Sequence, residues 1–172
     1  VGGSWSSTTG RMSVALLDDL DGDDVAEVLV GVPGDNTGGS DAGAAALFLS
    51  SSLGADETFD YADADVLFVG ESASDQVGEA YTNRSLASAG DVDGGGVNDI
   101  LIGAYLNDDA GTNGGKAYLI LGEYVGSASE VDLSLADYTF IADGAGDRLG
   151  ASLGGAGDVD DDGLQDILLA AW

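Results

Sequence analysis

The chain contains no cysteine and no histidine, one proline, and only four basic residues in 172. Without cysteine there are no disulfides, thiolate metal sites or cysteine nucleophiles, although the redox compartment stays open. Without histidine the usual zinc ligand sets, the Ser-His-Asp arrangement and the commonest general base near pH 7 are also gone. The shortage of lysine and arginine excludes nucleic acid as a partner, because phosphate contacts need clustered positive charge. No run of 18 apolar residues occurs, so no membrane insertion is expected within the chain. Together these absences point away from catalysis, and the expectation is that the chain is not an enzyme.

What is abundant is acid. Thirty-two Asp and Glu residues bring the formal net charge to −28. Self-repulsion on that scale loosens a compact fold unless bound divalent cations or a salty medium relieve it. Asp is preferred to Glu and Lys116 is the lone lysine, a pattern expected of a halophilic microbe. Glycine is also abundant, with 29 residues, and no apolar pattern with a 3.6-residue period is sustained. Long helices are thereby disfavoured, and the reading is all-β.

Internal repeats supply the organisation. The stretch DLDGDDVAEVLVG (19–31) recurs as DVDGGGVNDILIG (91–103) and DVDDDGLQDILLA (158–170), at offsets of 72 and 67 residues. Ser13, Ser85 and Ser152 each stand six residues before these stretches. Farther along, ADVLFVGESASDQVG (64–78) aligns with ADYTFIADGAGDRLG (136–150). Each unit reads as four short strands with an acidic loop between the first and second. Residues 1–9 read as the end of a preceding unit, 10–77 and 78–149 as two full units, and 150–172 as the first half of a third. The chain thus begins and stops in mid-unit, as a segment of something longer would.

The acidic loops carry the chemistry. In the third, Asp158, Asp160, Asp162 and Asp166 occupy positions 1, 3, 5 and 9, with the Leu164 carbonyl at position 7. The first offers Asp19, Asp21, Asp23, Glu27 and the Val25 carbonyl. The second offers Asp91, Asp93, Asp99 and the Val97 carbonyl, but Gly95 takes position 5. Carboxylates at alternate positions of a tight loop converge, and Ca2+ wants six to eight such oxygens. Position 12 is Val30, Ile102 or Leu169 inside an apolar strand-like run, so these are not EF-hands. Two to three Ca2+ ions, one per loop, are expected. Magnesium is disfavoured because it rarely uses such all-protein cages.

These loops, with GVP (31–33), GAY (103–105) and AAW (170–172), resemble the FG-GAP repeats of the integrin alpha-subunit N-terminal β-propeller. The family also includes glycosylphosphatidylinositol-specific phospholipase D and many microbial surface proteins. Its FG position stands here as Val77-Gly78 and Leu149-Gly150. The resemblance implies a β-propeller of four-stranded antiparallel blades, seven as a rule, with calcium bound by loops on one face. About two and a half blades are present, so a fragment or part of a larger assembly is expected, since closure takes roughly four to eight. The remaining blades would come from the same longer chain or from neighbouring chains.

The function that follows is a non-catalytic, calcium-binding segment of a secreted or cell-surface protein, mediating adhesion or protein recognition toward a protein or surface-glycan partner. Two alternatives stand beside it: a structural component of an extracellular or virion assembly, and part of a carboxylate-dependent glycoside hydrolase or lyase. A deeply buried carboxylate with a raised pKa in a cleft would favour the last. Asn83-Arg84-Ser85 is a glycosylation sequon. Trp5, Trp172, Tyr81, Tyr105 and Tyr124 are candidate stacking surfaces, more in keeping with packing than with a ligand.

Overall fold

The computed structural model describes residues 10–54, 58–81 and 84–172. Trp5, Asn83 and the segment 1–9 therefore lie outside the described residues, as does the Tyr124 side chain. Short runs bounded by Gly/Asp turns, most of them rich in Val, Ile and Leu or in small residues, form eleven strands among the described residues. They are β1 (Val14–Leu17), β2 (Glu27–Val32), β3 (Ala44–Phe48), β4 (Val66–Val69), β5 (Leu86–Gly90), β6 (Asp99–Ala104), β7 (Lys116–Ile120), β8 (Glu130–Asp132), β9 (Tyr138–Ile141), β10 (Ser152–Gly157) and β11 (Asp166–Ala170). Among the described residues there are also four 3-10 turns, at Ser50–Ser52, Tyr61–Asp63, Gly122–Tyr124 and Leu133–Leu135. The first and third turns, like the second and fourth, are 72 residues apart, so the repeat extends into the connections.

The expected antiparallel meanders are present. One sheet runs β1-β2-β3-β4, a second β5-β6-β7-β9, and β10 pairs with β11. The sequence reading did not anticipate β8. This strand leaves the second unit's connection and pairs in parallel with β4, matching Phe68 to Val131, so the first sheet has five strands. The sheets interlock through their neighbours' connections.

Alternation along the strands sorts the core into layers. Leu29, Leu47 and Phe68 of the first sheet share one buried cluster with Leu86, Ile100, Ile102, Tyr118 and Ile120 of the second. The opposite face of the second sheet, Leu101, Ala117 and Leu119, meets Leu153 with Ile167 and Leu169 of the third. The apolar run Ile167-Leu168-Leu169 is only half buried: Leu168 is 64% exposed, because only one face of β11 meets another sheet.

The two glycines that define the repeat are explained by contact. A Cβ on Gly31 would stand 2.0 Å from the Gly78 carbonyl oxygen, and one on Gly103 would stand 2.1 Å from that of Gly150. The Gly78 N–H also donates to the Gly103 carbonyl at 3.1 Å, so Gly78 is held against β6 where it meets Gly31 of the first unit. The repeated serines have a different character. Ser13 and Ser85 are buried and neither hydroxyl has a hydrogen-bond partner. A buried hydroxyl without a bond is costly. Ser85→Ala is therefore expected to raise stability by about 1 kcal/mol, measured by urea unfolding, and a loss of similar size would contradict this placement.

Candidate metal centre

Each acidic loop has one backbone conformation, set by left-handed residues at positions 4 and 6. Position 4 is Gly22, Gly94 or Asp161, and position 6 is Asp24, Gly96 or Gly163, all with φ between 61° and 94°. Glycine and aspartate tolerate that region best. The two inversions fold the loop around the carboxylate at position 1. The Asp19 carboxylate accepts the N–H groups of Gly22 at 2.7 Å and Asp24 at 2.9 Å. Asp91 accepts those of Gly94 and Gly96 at 2.8 and 3.0 Å, and Asp158 accepts that of Gly163 at 2.9 Å. These backbone donors, that of Asp24 foremost, hold the Asp19 carboxyl below its ordinary range.

The alternate acids converge as their spacing implies. One oxygen each of Asp19, Asp21, Asp23 and Glu27 lies within 4.8 Å of the others. The same holds for Asp91, Asp93 and Asp99, and for Asp158, Asp160 and Asp162. Asp166 stands outside the third group, with Oδ2 accepting the Val159 N–H at 2.7 Å. Its counterpart Asp99 is pinned from two sides, by Val92 N–H and by Gly122 N–H beyond β7. The N–H that fastens Asp99 from beyond β7 has no equivalent at Asp166 among the described residues. The side chains of Val25 and Leu164 are exposed and that of Val97 is half-buried.

The first group is the most demanding electrostatically. Glu27 is fully buried, and burial, with Asp21 and Asp23 nearby, pushes its carboxyl above the ordinary range against the opposing Ser50 N–H bond. Oε2 accepts that N–H, whereas Oε1 has no hydrogen-bond partner. An orphaned carboxylate oxygen beside three further acids is the arrangement that a hard cation resolves. The donor set, all oxygen with no nitrogen or sulfur, fits Ca2+. Asp99 is likewise pushed up by burial, with Gly122 and Val92 N–H groups opposing and Asp93 and Asp91 adding to the rise.

Sequence reasoning missed two features around the loops. Ser50 and Ser51 reach back to the first loop: Ser50 Oγ donates to Asp23 Oδ2 at 2.6 Å and Ser51 Oγ to Asp21 Oδ2. The run SSS, one copy of a repeated turn, was the available signal. A second cluster lies between the first two units, where Lys116 forms ion pairs with Glu71 and Asp109, and Tyr118 donates to Glu71 at 2.8 Å. Asp75 beside them, 2% exposed, accepts from Asn107 Nδ2 at 2.8 Å. Its carboxyl is pushed up to about 6, first by burial and then by Glu71 and Asp109, with Asn107 and Lys116 opposing. Such a carboxylate is what a hydrolase would need, yet this one is sealed between units rather than open to a cleft.

Three of the candidate aromatics, Tyr81, Tyr105 and Trp172, pack together. Tyr81 lies 5.2 Å from Tyr105 and 5.0 Å from Trp172, ring centre to ring centre, with Arg148 over the Tyr81 ring at 5.5 Å. Among the described residues no helix is long and apolar enough to cross a membrane. Residues 11–48, spanning β1 to β3 and the first acidic loop, match the family described as FG-GAP repeat. No curated protein matches the chain.

Proposed function

With residues 11–48 an FG-GAP repeat, we propose that the chain is a non-catalytic, calcium-binding segment of a β-propeller in a secreted or cell-surface protein, working in adhesion or protein recognition. Its sheets are the blades, and the units 10–77 and 78–149 are two complete ones. Two to three Ca2+ ions sit in the acidic loops: Asp19, Asp21, Asp23, Glu27 and the Val25 carbonyl; Asp91, Asp93, Asp99 and the Val97 carbonyl; and Asp158, Asp160, Asp162 with the Leu164 carbonyl and Asp166. The observation that carries this reading is Glu27, a buried acid with an unpartnered oxygen among three loop carboxylates. Each bound ion offsets part of the −28 charge, and salt-rich surroundings screen the remainder. Recognition of a protein or surface glycan would then fall to loops on this rigid frame.

A thermal melt in molar salt after chelation, with and without millimolar calcium, tests the proposal. Extracellular calcium modules bind at about 10⁻⁴ to 10⁻³ M, so millimolar ion should raise Tm by several degrees. The rise should shrink in Asp19→Ala, which removes the carboxylate around which the first loop folds. Identical melts with and without calcium would reject the proposal.

A further inference from the structure

Glu27 opens β2 and the Ser50–Ser52 turn comes only after β3, yet the turn returns to the loop that Glu27 closes. Three bonds make this connection: Ser50 N–H to Glu27 Oε2, Ser50 Oγ to Asp23 Oδ2, and Ser51 Oγ to Asp21 Oδ2. Three of the four carboxylates in the first group are thus held from outside the loop by two adjacent residues. We infer that Ser50 and Ser51 are positioning residues for a cation in the first loop, orienting Asp21, Asp23 and Glu27 and giving that site its own affinity. The inference rests on the proposal that the loop holds calcium.

A carboxylate whose second oxygen accepts a fixed hydrogen bond has lost the freedom to rotate, so less order remains to be imposed when an ion arrives. Such outer contacts typically alter metal affinity by roughly 10- to 100-fold. The buried Glu27 Oε1 is the independent sign that this cluster expects a positive partner. The arrangement is particular to the first unit. In the second, the equivalent turn has Gly122 and Glu123, so only the backbone bond to Asp99 remains. The third unit presents no equivalent turn among the described residues. The hydroxyls also tie the loop to the β3–β4 connection, where Phe59 and Tyr61 pack against the outer face of the first sheet.

Calcium titration of the 15N-labelled full chain in molar salt, after chelation, separates the loops by their amides. Gly22 N–H reports the first, through Asp19, and Gly163 N–H the third, through Asp158. In the Ser50→Ala/Ser51→Ala double variant the Gly22 midpoint should move up by roughly 10-fold, with the Gly163 midpoint unchanged. Ser51→Thr, which keeps a hydroxyl, should stay near the wild-type midpoint. A Gly22 midpoint unchanged in the double variant would overturn the positioning role and leave the calcium reading standing. Equal movement of Gly22 and Gly163 would also overturn it, as a general loss of fold. A wild-type Gly22 indifferent to calcium would overturn both readings.

Discussion

Gly103→Ala should lower the unfolding free energy by more than about 3 kcal/mol, with Gly154→Ala within about 1 kcal/mol of wild type. Both glycines lie in strands and neither needs a positive φ, so backbone conformation does not separate them. Space does. A methyl on Gly103 would stand 2.1 Å from the Gly150 carbonyl oxygen, far inside contact distance, whereas nothing lies within 4 Å of one on Gly154. The obstacle is backbone, so no rotamer change relieves it, and the β6 strand must move away from the turn carrying Gly150. That movement also strains the bond from Gly78 N–H to the Gly103 carbonyl. Urea unfolding in molar salt measures both variants. Equal stabilities would show that the close approach is not maintained in solution.

The second large effect is pH-dependent. Asp75 has an ordinary carboxyl value of 3.8 and is raised to about 6 in the folded chain, chiefly by burial. Below about pH 4 it is protonated in both folded and unfolded chains, and its neutral form is the one the interior favours. Between about pH 4 and pH 6 the unfolded chain releases this proton into water while the folded chain still holds it, and above 6 the folded chain carries a buried charge. Stability therefore falls over that window, by up to roughly 3 kcal/mol for a shift of this size. Asp75→Asn keeps an oxygen to accept from Asn107 and removes the charge. It should be more stable than wild type at pH 7.5 and equal to it near pH 4. Glu27 and Asp99 are also pushed up by burial, so the quantity to follow is the difference between the two proteins in calcium-free buffer. A difference constant from pH 4 to 7.5 would mean that solvent reaches Asp75.

Much of this architecture is legible along the chain because the forces behind it are local. Alternating Val, Ile and Leu over five or six residues dictates β2, β6 and their partners, and the 72-residue offset carries the register from one unit to the next. The loop carboxylates are also local. Their convergence follows from alternate spacing and from residues able to turn left-handed at positions 4 and 6. The glycine of each repeat announces a close approach, though not to what.

Non-local pairings are not written in any one stretch. β8 is only Glu130-Val131-Asp132, with no apolar alternation, and becomes a strand because β4 offers an edge to which the preceding turn delivers it. Lys116 and Glu71 are 45 residues apart, and the raised Asp75 exists only because two units close over it. The same holds for Ser50 and Ser51, whose hydroxyls acquire a role once β3 has returned them to the first loop. Composition and spacing by themselves determined an all-β repeat with three acidic loops, since strand pattern and loop geometry depend on neighbours in sequence. Tertiary structure alone decided which acids are buried, which are fastened from outside and how the units join, because desolvation and hydrogen bonding depend on neighbours in space.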